Sequence, residues 1–211
     1  SPLDFIPMCE ETGIILEVGR WILREACRQF NEWQRSGYHQ LQRIAVNISP
    51  RQFSHDSFIE DVLQIVRDSG LPPHYLELEL TENLLLDGIE HVTSIMHRLK
   101  DEGIRFSIDD FGTGYSSLAY IKRLPINKIK IDRTFIRDIL DDKDDVCIVE
   151  SIIAMGEKMG LELIAEGVET SEQLQLIRQM GCQNYQGYLF GKPLPPEAFI
   201  ALLSTLTGEK A

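Results

Sequence analysis

The sequence holds no apolar run approaching the roughly 20 residues of a membrane-spanning helix, and no signal peptide is visible. A helical membrane span is thereby excluded. Cysteine is scarce: Cys9, Cys27, Cys147 and Cys182 lie far apart, with no CxxC pair for zinc and no dense disulfide framework. Reduced thiols are expected, in a cytoplasm or in the cytoplasmic part of a membrane-anchored parent. The histidines (His39, His55, His74, His91, His97) show no HExxH spacing and read as surface residues of helices and loops. No GxGxxG follows a first strand, which disfavours a dinucleotide-binding sheet. Positive charge is short as well: 21 Lys and Arg face 33 Asp and Glu, a net charge of −12. A field of that sign disfavours nonspecific binding to DNA, RNA or anionic membranes, and a phosphate-bearing substrate needs local cations to offset it. The opening Ser1-Pro2-Leu3-Asp4 carries no initiator Met, so a piece of a longer protein is expected.

What is present is enough for a barrel. The 211 residues fit one domain, and a hydrophobic fraction of 43% supports a sizeable core. Apolar spacing predicts helices over 10–35, 58–69, 89–102, 116–123, 146–159, 171–180 and 197–206. Strands are predicted at 44–48, 76–80, 104–109, 128–131, 161–165 and 182–186. Strand and helix alternate six times, which argues for parallel βαβ units. The expected fold is α/β, a TIM-like (β/α) barrel. A closed barrel of that kind has eight strands, so two are expected to precede the long first helix, and 1–211 reads as a single, N-terminally incomplete domain.

In such barrels the chemistry gathers where strands end at the C-terminal face. The six strand ends read, in order, Asn47, Glu79, Asp109 with Asp110, Lys130, Glu166 and Gln186. Any one of these has a plain alternative as an exposed residue capping the next helix. All six on one rim do not. Four carboxylates with an amide oxygen suit a hard cation, Mg²⁺ or Mn²⁺, rather than Zn²⁺. Asp109-Asp110 closes a strand and opens a loop marked by Gly112 and Gly114. Strand alternation lapses at such a break, so both carboxylates can converge, and two converging carboxylates imply a bound proton or cation. Lys130, taken alone, also fits a Schiff-base lysine of an aldolase-like barrel.

These residues carry a family resemblance. The blocks VNIS (46–49), ELTE (79–82), DDFGTGYSSL (109–118), KID (130–132), EGVE (166–169) and QGY (186–188) resemble, in order and spacing, those of EAL domains, bacterial phosphodiesterases that hydrolyse cyclic di-GMP to linear pGpG. The resemblance covers essentially the whole chain. It implies that Asn47, Glu79 and Asp109 are ligands of a first Mg²⁺ or Mn²⁺, and that Asp109 bridges to a second ion held also by Asp110 and Glu166. Lys130 would orient the attacking water or accept its proton, and Gln186 would hydrogen-bond water or substrate. Residues 111–117, with Phe111, Gly112, Thr113 and Gly114, resemble the loop that couples dimerisation to metal binding, and Glu82 would anchor it. A homodimer and an upstream sensory or GGDEF-type domain are implied as partners, with no nucleic-acid polymer.

The motif that names the family, Glu-Ala-Leu with an arginine soon after, occurs nowhere in the sequence. Trimming of a longer parent is the expected reason, because Lys130, Glu166 and Gln186 are all retained. One carboxylate of the first ion is thereby lacking, and weak or absent turnover is expected of these residues alone. The alternative is a catalytically inactive module that binds cyclic di-GMP and signals.

Overall fold

A computed structural model describes residues 2–86, 88–114 and 118–207. Apolar spacing predicts one helix over 10–35; the chain instead forms α1 (Pro2–Thr12) and α2 (Ile15–Arg35). Gly13, at φ 81°, breaks the run, a left-handed conformation that glycine adopts freely. The Arg51 guanidinium holds the end of α1 by bonding the carbonyls of Glu10 and Glu11.

After these helices come β1 (Ile44–Asn47), α3 (Pro50–Phe53), α4 (Phe58–Ser69), β2 (Leu76–Thr81), α5 (Ile89–Asp101) and β3 (Arg105–Phe111). The chain continues through α6 (Leu118–Ile121), β4 (Lys128–Ile131), α7 (Arg133–Arg137), α8 (Lys143–Met159), β5 (Glu162–Ala165), α9 (Ser171–Gln179), β6 (Asn184–Tyr185) and α10 (Pro196–Thr207). Two helices, α3 and α7, went unforeseen because four or five residues are too few to show a helical period. Helix α6 is shorter than the expected 116–123, whose first two residues lie outside the described ones. Helix α8 starts earlier than 146, where Asp142 caps it by accepting from the Asp144 N–H.

All six strands are parallel and lie in sequence order, β1-β2-β3-β4-β5-β6. One face is apolar and packs under the helices: Leu76, Leu78 and Leu80 of β2, Phe106 and Ile108 of β3, Ile129 and Ile131 of β4 are fully buried. Residues of the other parity face inward, and apart from Ala45 and Ile164 they are polar: Glu77 and Glu79, Arg105, Ser107 and Asp109, Lys128 and Lys130, Glu162 and Glu166. An ion pair shows how far the sheet curls. Arg43, just before β1, reaches Glu162 at the start of β5 with Nη1–Oε2 at 2.7 Å. Strands about 4.8 Å apart in a flat sheet would put those positions roughly 19 Å from each other. The sheet is therefore a curled half-barrel, the architecture expected of a TIM-like fold.

Its concave side has two ionic layers. The lower one joins Arg43, Glu77, Arg105, Lys128 and Glu162, with Lys128 Nζ 2.7 Å from Glu77 Oε1 and Arg105 Nη2 2.8 Å from Glu162 Oε1. Burial acts to raise the Glu162 carboxyl, but Arg43 and Arg105 hold it below its ordinary range. The upper layer lies at the C-terminal strand ends. Among the described residues, no helix is long and apolar enough to cross a membrane.

Candidate metal centre

Alternation along β2 and β3 puts Glu79 and Asp109 on the concave side, and β4 and β5 deliver Lys130 and Glu166 there. Lys130 is buried with its ammonium between three carboxylates: Glu79 Oε2 at 2.9 Å, Asp109 Oδ1 at 2.9 Å and Glu166 Oε1 at 2.8 Å. By the same alternation Asp110 should point away. The backbone corrects it. Asp110 sits at φ 53°, the one non-glycine residue with positive φ among those described, and the β3–β4 register shifts between Ile108 and Phe111. Such a bulge re-aims a side chain, and a strained backbone of this kind persists where the surroundings impose it. The expected break after Asp109 is thus a bulge inside β3, which runs on to Phe111. Ligand atoms of Asp109, Asp110 and Glu166 consequently lie within 4.8 Å of one another.

One lysine cannot neutralise this cluster, and burial together with the neighbouring carboxylates displaces Glu79, Asp110, Lys130 and Glu166 from their ordinary values. Burial alone would lower the Lys130 ammonium, but Glu79, Glu166 and Asp109 together hold it above its ordinary value. A lysine that is to accept a proton or form a Schiff base needs the opposite displacement, so the aldolase-like alternative loses its footing. Burial, with Asp109 and Glu79 beside it, pushes Glu166 up to about 7. Asp110 is pushed up to about 6 by burial, by Asp109 and by a hydrogen bond with Asp132. Glu79 is raised by burial despite its bond to Lys130. A set of hard oxygen donors carrying uncompensated charge fits Mg²⁺ or Mn²⁺.

Asp132 is the residue that reading the strand ends missed. Its signal was present, because Lys128, Lys130 and Asp132 alternate onto one face, but Asp132 also caps α7 by accepting from the Thr134 N–H at 2.8 Å. Asn47 pairs in register with Glu79, which puts it on the same layer, and Gln186 follows β6 with its N–H on the Ala165 carbonyl at 2.8 Å. Both side chains are exposed, and neither forms a hydrogen bond to the cluster among the described residues.

The loop after Asp110 is tied to the neighbouring strand. Buried Glu82 accepts from the Gly112 N–H at 2.9 Å and the Gly114 N–H at 3.1 Å, while the Thr113 hydroxyl donates to the Asp110 carbonyl at 2.8 Å. A Cβ at Gly112 would lie 2.8 Å from the Phe135 ring and one at Gly114 2.9 Å from the Glu82 carboxyl, so any side chain there forces the loop outward. Phe111 is buried beneath it. Residues 115–117 of this expected coupling loop lie outside the described ones.

The raised carboxyls make a prediction with a definite sign. Glu166 and Asp110 bind protons more tightly folded than unfolded, so the metal-free chain loses stability as pH rises from about 4.5 through about 7. Metal must displace those protons. Mn²⁺ affinity is expected to be weaker by roughly 10²–10³ at pH 5 than at pH 8, with proton release on binding. Calorimetric titration in buffers of different ionisation enthalpy measures both, and an affinity flat across that range would contradict the assignment.

Comparison with known proteins places this chain in a family. The EAL domain model matches residues 1–193, and the chain belongs to the EAL domain family. It is 43% identical over 201 residues to the bifunctional diguanylate cyclase/cyclic di-GMP phosphodiesterase MucR of Pseudomonas aeruginosa, covering 95% of this chain and 29% of that protein. The chain thus spans under a third of that relative's length. A solved structure of the PaMucR phosphodiesterase in complex with c-di-GMP superposes with a TM-score of 0.91 at 43% identity, covering 94% of this chain and 80% of that one. Klebsiella pneumoniae BlrP1, solved at pH 9.0 as a manganese/cy-diGMP complex, gives a TM-score of 0.73 at 29% identity over 85% of this chain and 44% of its own.

Proposed function

We propose that this chain carries a two-metal phosphodiesterase centre that hydrolyses cyclic di-GMP to linear pGpG in the cytoplasm. The observation that carries the reading is the convergence of Asp109, Asp110 and Glu166 around a buried, charged Lys130. The manganese and cyclic di-GMP in the BlrP1 complex and the phosphodiesterase name of MucR support it. Asn47, Glu79 and Asp109 would hold one Mg²⁺ or Mn²⁺, and Asp109, Asp110 and Glu166 the other. Ions held there would supply a more acidic bound water and positive charge for the attacking and leaving oxygens of an in-line displacement.

The protein's own part is positional. Hydrolysis joins a water oxygen to phosphorus, breaks one P–O ester bond to ribose and returns a proton to the leaving oxygen. Lys130 Nζ spends its three N–H donors on the three carboxylates in this structure; it would orient the attacking water with a donor released when those carboxylates turn to the ions. Gln186, exposed at the end of β6, is free to hydrogen-bond water or substrate. Glu82 keeps the Gly112–Gly114 loop, and so Asp110, in place; in a homodimer built on that loop the same contact would couple assembly to metal binding. A sensory or GGDEF-type domain elsewhere in a longer protein fits the setting, as MucR's bifunctional name does for that relative.

Chromatography of cyclic di-GMP incubated with the chain and Mn²⁺ tests this. Metal-dependent release of pGpG is expected, slow because the first ion has only Asn47, Glu79 and the shared Asp109 within these residues. Binding of cyclic di-GMP in the presence of chelator, with no cleavage in Mn²⁺, would replace the enzyme by a silent binding module.

A further inference from the structure

The first-ion ligand Asn47 is the least supported member of the centre. Its strand, β1, has four residues and pairs only with β2 among the described residues. Among the described residues its side chain makes no hydrogen bond to the cluster, and the chain leaves the strand for a turn directly after it. That turn is built with unusual completeness for a four-residue helix. Ser49 caps α3 by accepting from the Gln52 N–H at 3.2 Å, and Gln52 Oε1 accepts in return from the Ser49 N–H at 3.3 Å and the Ser49 hydroxyl at 3.0 Å. This reciprocal box satisfies two otherwise orphaned donors, the N–H groups of Ser49 and Gln52, two and five residues after Asn47.

Gln52 does more than cap. It is buried, although its box would close equally well in solvent. Its amide fills a notch in α2 opened by Gly19: a Cβ at that position would lie 1.6 Å from Gln52 Nε2 and 2.3 Å from Cδ. Glycine inside a helix is destabilising relative to alanine, so a glycine at this one contact marks a packing requirement. Next to Gln52, Arg51 grips the carbonyl end of α1. The turn after β1 is thereby fixed to both opening helices.

We propose that Gln52 is a positioning residue for the metal ligand Asn47, and that Gly19 provides the notch through which α2 sets it. The inference rests on the metal-centre reading above. Gln52→Ala removes the reciprocal acceptor, whereas Gly19→Ala leaves every turn residue unchanged and evicts the Gln52 amide. Partners that orient metal ligands typically cost roughly 10–100-fold in affinity when removed.

The test is a Mn²⁺ titration of the full chain, counted by electron paramagnetic resonance and paired with the NMR signal of the Asn47 side-chain amide without metal. Each single variant is expected to weaken one of two ions about tenfold and to average the Asn47 signal, leaving the other ion within about twofold. The Gly19→Ala/Gln52→Ala double variant is expected to be no worse than either single one, because both act by the same displacement. If Gln52→Ala does not fold, Gly19→Ala carries the test alone. Unchanged affinities and an unchanged Asn47 signal overturn the inference while the metal centre stands, and equal loss at both ions overturns it by showing a merely structural role. No Mn²⁺ uptake by the unsubstituted chain overturns the metal reading and this inference with it.

Discussion

Lys130→Met is expected to destabilise the metal-free chain by roughly 3–5 kcal/mol at pH 8, the range seen when one partner of a buried ion pair is removed. For a domain of this size that lowers the thermal midpoint by roughly 6–20 °C. Three carboxylates now contact the ammonium at 2.8–2.9 Å, and without it they face each other. Protonation relieves part of the cost. Glu166 titrates at about 7 even with Lys130 present, so without the lysine it holds its proton to still higher pH. Because the folded carboxyls bind protons more tightly than the unfolded ones, the deficit should shrink as pH falls and be smallest near pH 5. Mn²⁺ should also repair it, since a divalent cation supplies the charge the methionine lacks. Turnover of cyclic di-GMP should remain depressed by about 10²–10⁴ even with metal bound, because the donor that orients water is gone. Melting curves at pH 5 and 8, with and without Mn²⁺, together with a rate measurement separate these effects. A variant that melts like the parent at pH 8, or whose rate recovers with metal, removes Lys130 from the proposed chemistry.

The rim could be read from the sequence because it follows from a period of two and from where apolar runs stop. Glu79, Asp109, Lys130 and Glu166 are strand-end residues of one parity, and the fold brings them together. Asp110 was legible only as half of a pair. Its aim is made by a positive φ and a register shift, which no alternation pattern contains. Asp132 was hidden behind its second duty as the cap of α7. The division between α1 and α2 was masked because the apolar series begins only at Ile14, so residues 10–13 carry no period to show that the helix starts after Gly13. Gln52 and Gly19 are a packing contact between residues 33 positions apart, and such a fit has no signature in composition. Lys130 raised a different difficulty. Its charge state depends on how many carboxylates reach it, and counting those needs the curvature of the sheet.

The lower ionic layer spans that curvature, and Glu77→Ala is expected to show how much the layer matters to stability. Glu77 is fully buried, with Oε1 2.7 Å from Lys128 Nζ and Oε2 3.8 Å from Arg43 Nη1. Among the described residues Oε2 has no hydrogen-bond partner, and neither do Arg105 Nε and Ser107 Oγ. Three cations in this layer are balanced by two carboxylates, so removing Glu77 leaves Arg43, Arg105 and Lys128 against Glu162 alone. The expected loss is about 3–5 kcal/mol, as for any buried charge stripped of its partner. Removing both partners should be milder. Glu77→Leu with Lys128→Met replaces the pair by apolar groups of similar volume, an exchange that often leaves stability unchanged or improves it. The double variant is therefore expected to melt within about 4 °C of the parent, while Glu77→Ala alone melts roughly 6–20 °C lower. Mn²⁺ affinity should stay within about twofold in the folded double variant, because Glu77, which raises Glu79 from one inward-facing position below, is removed together with the Lys128 charge that it pairs with. A double variant that keeps its stability but loses the ions would mean that the lower layer shapes the rim electrostatically, and the two layers would then have to be treated as one site.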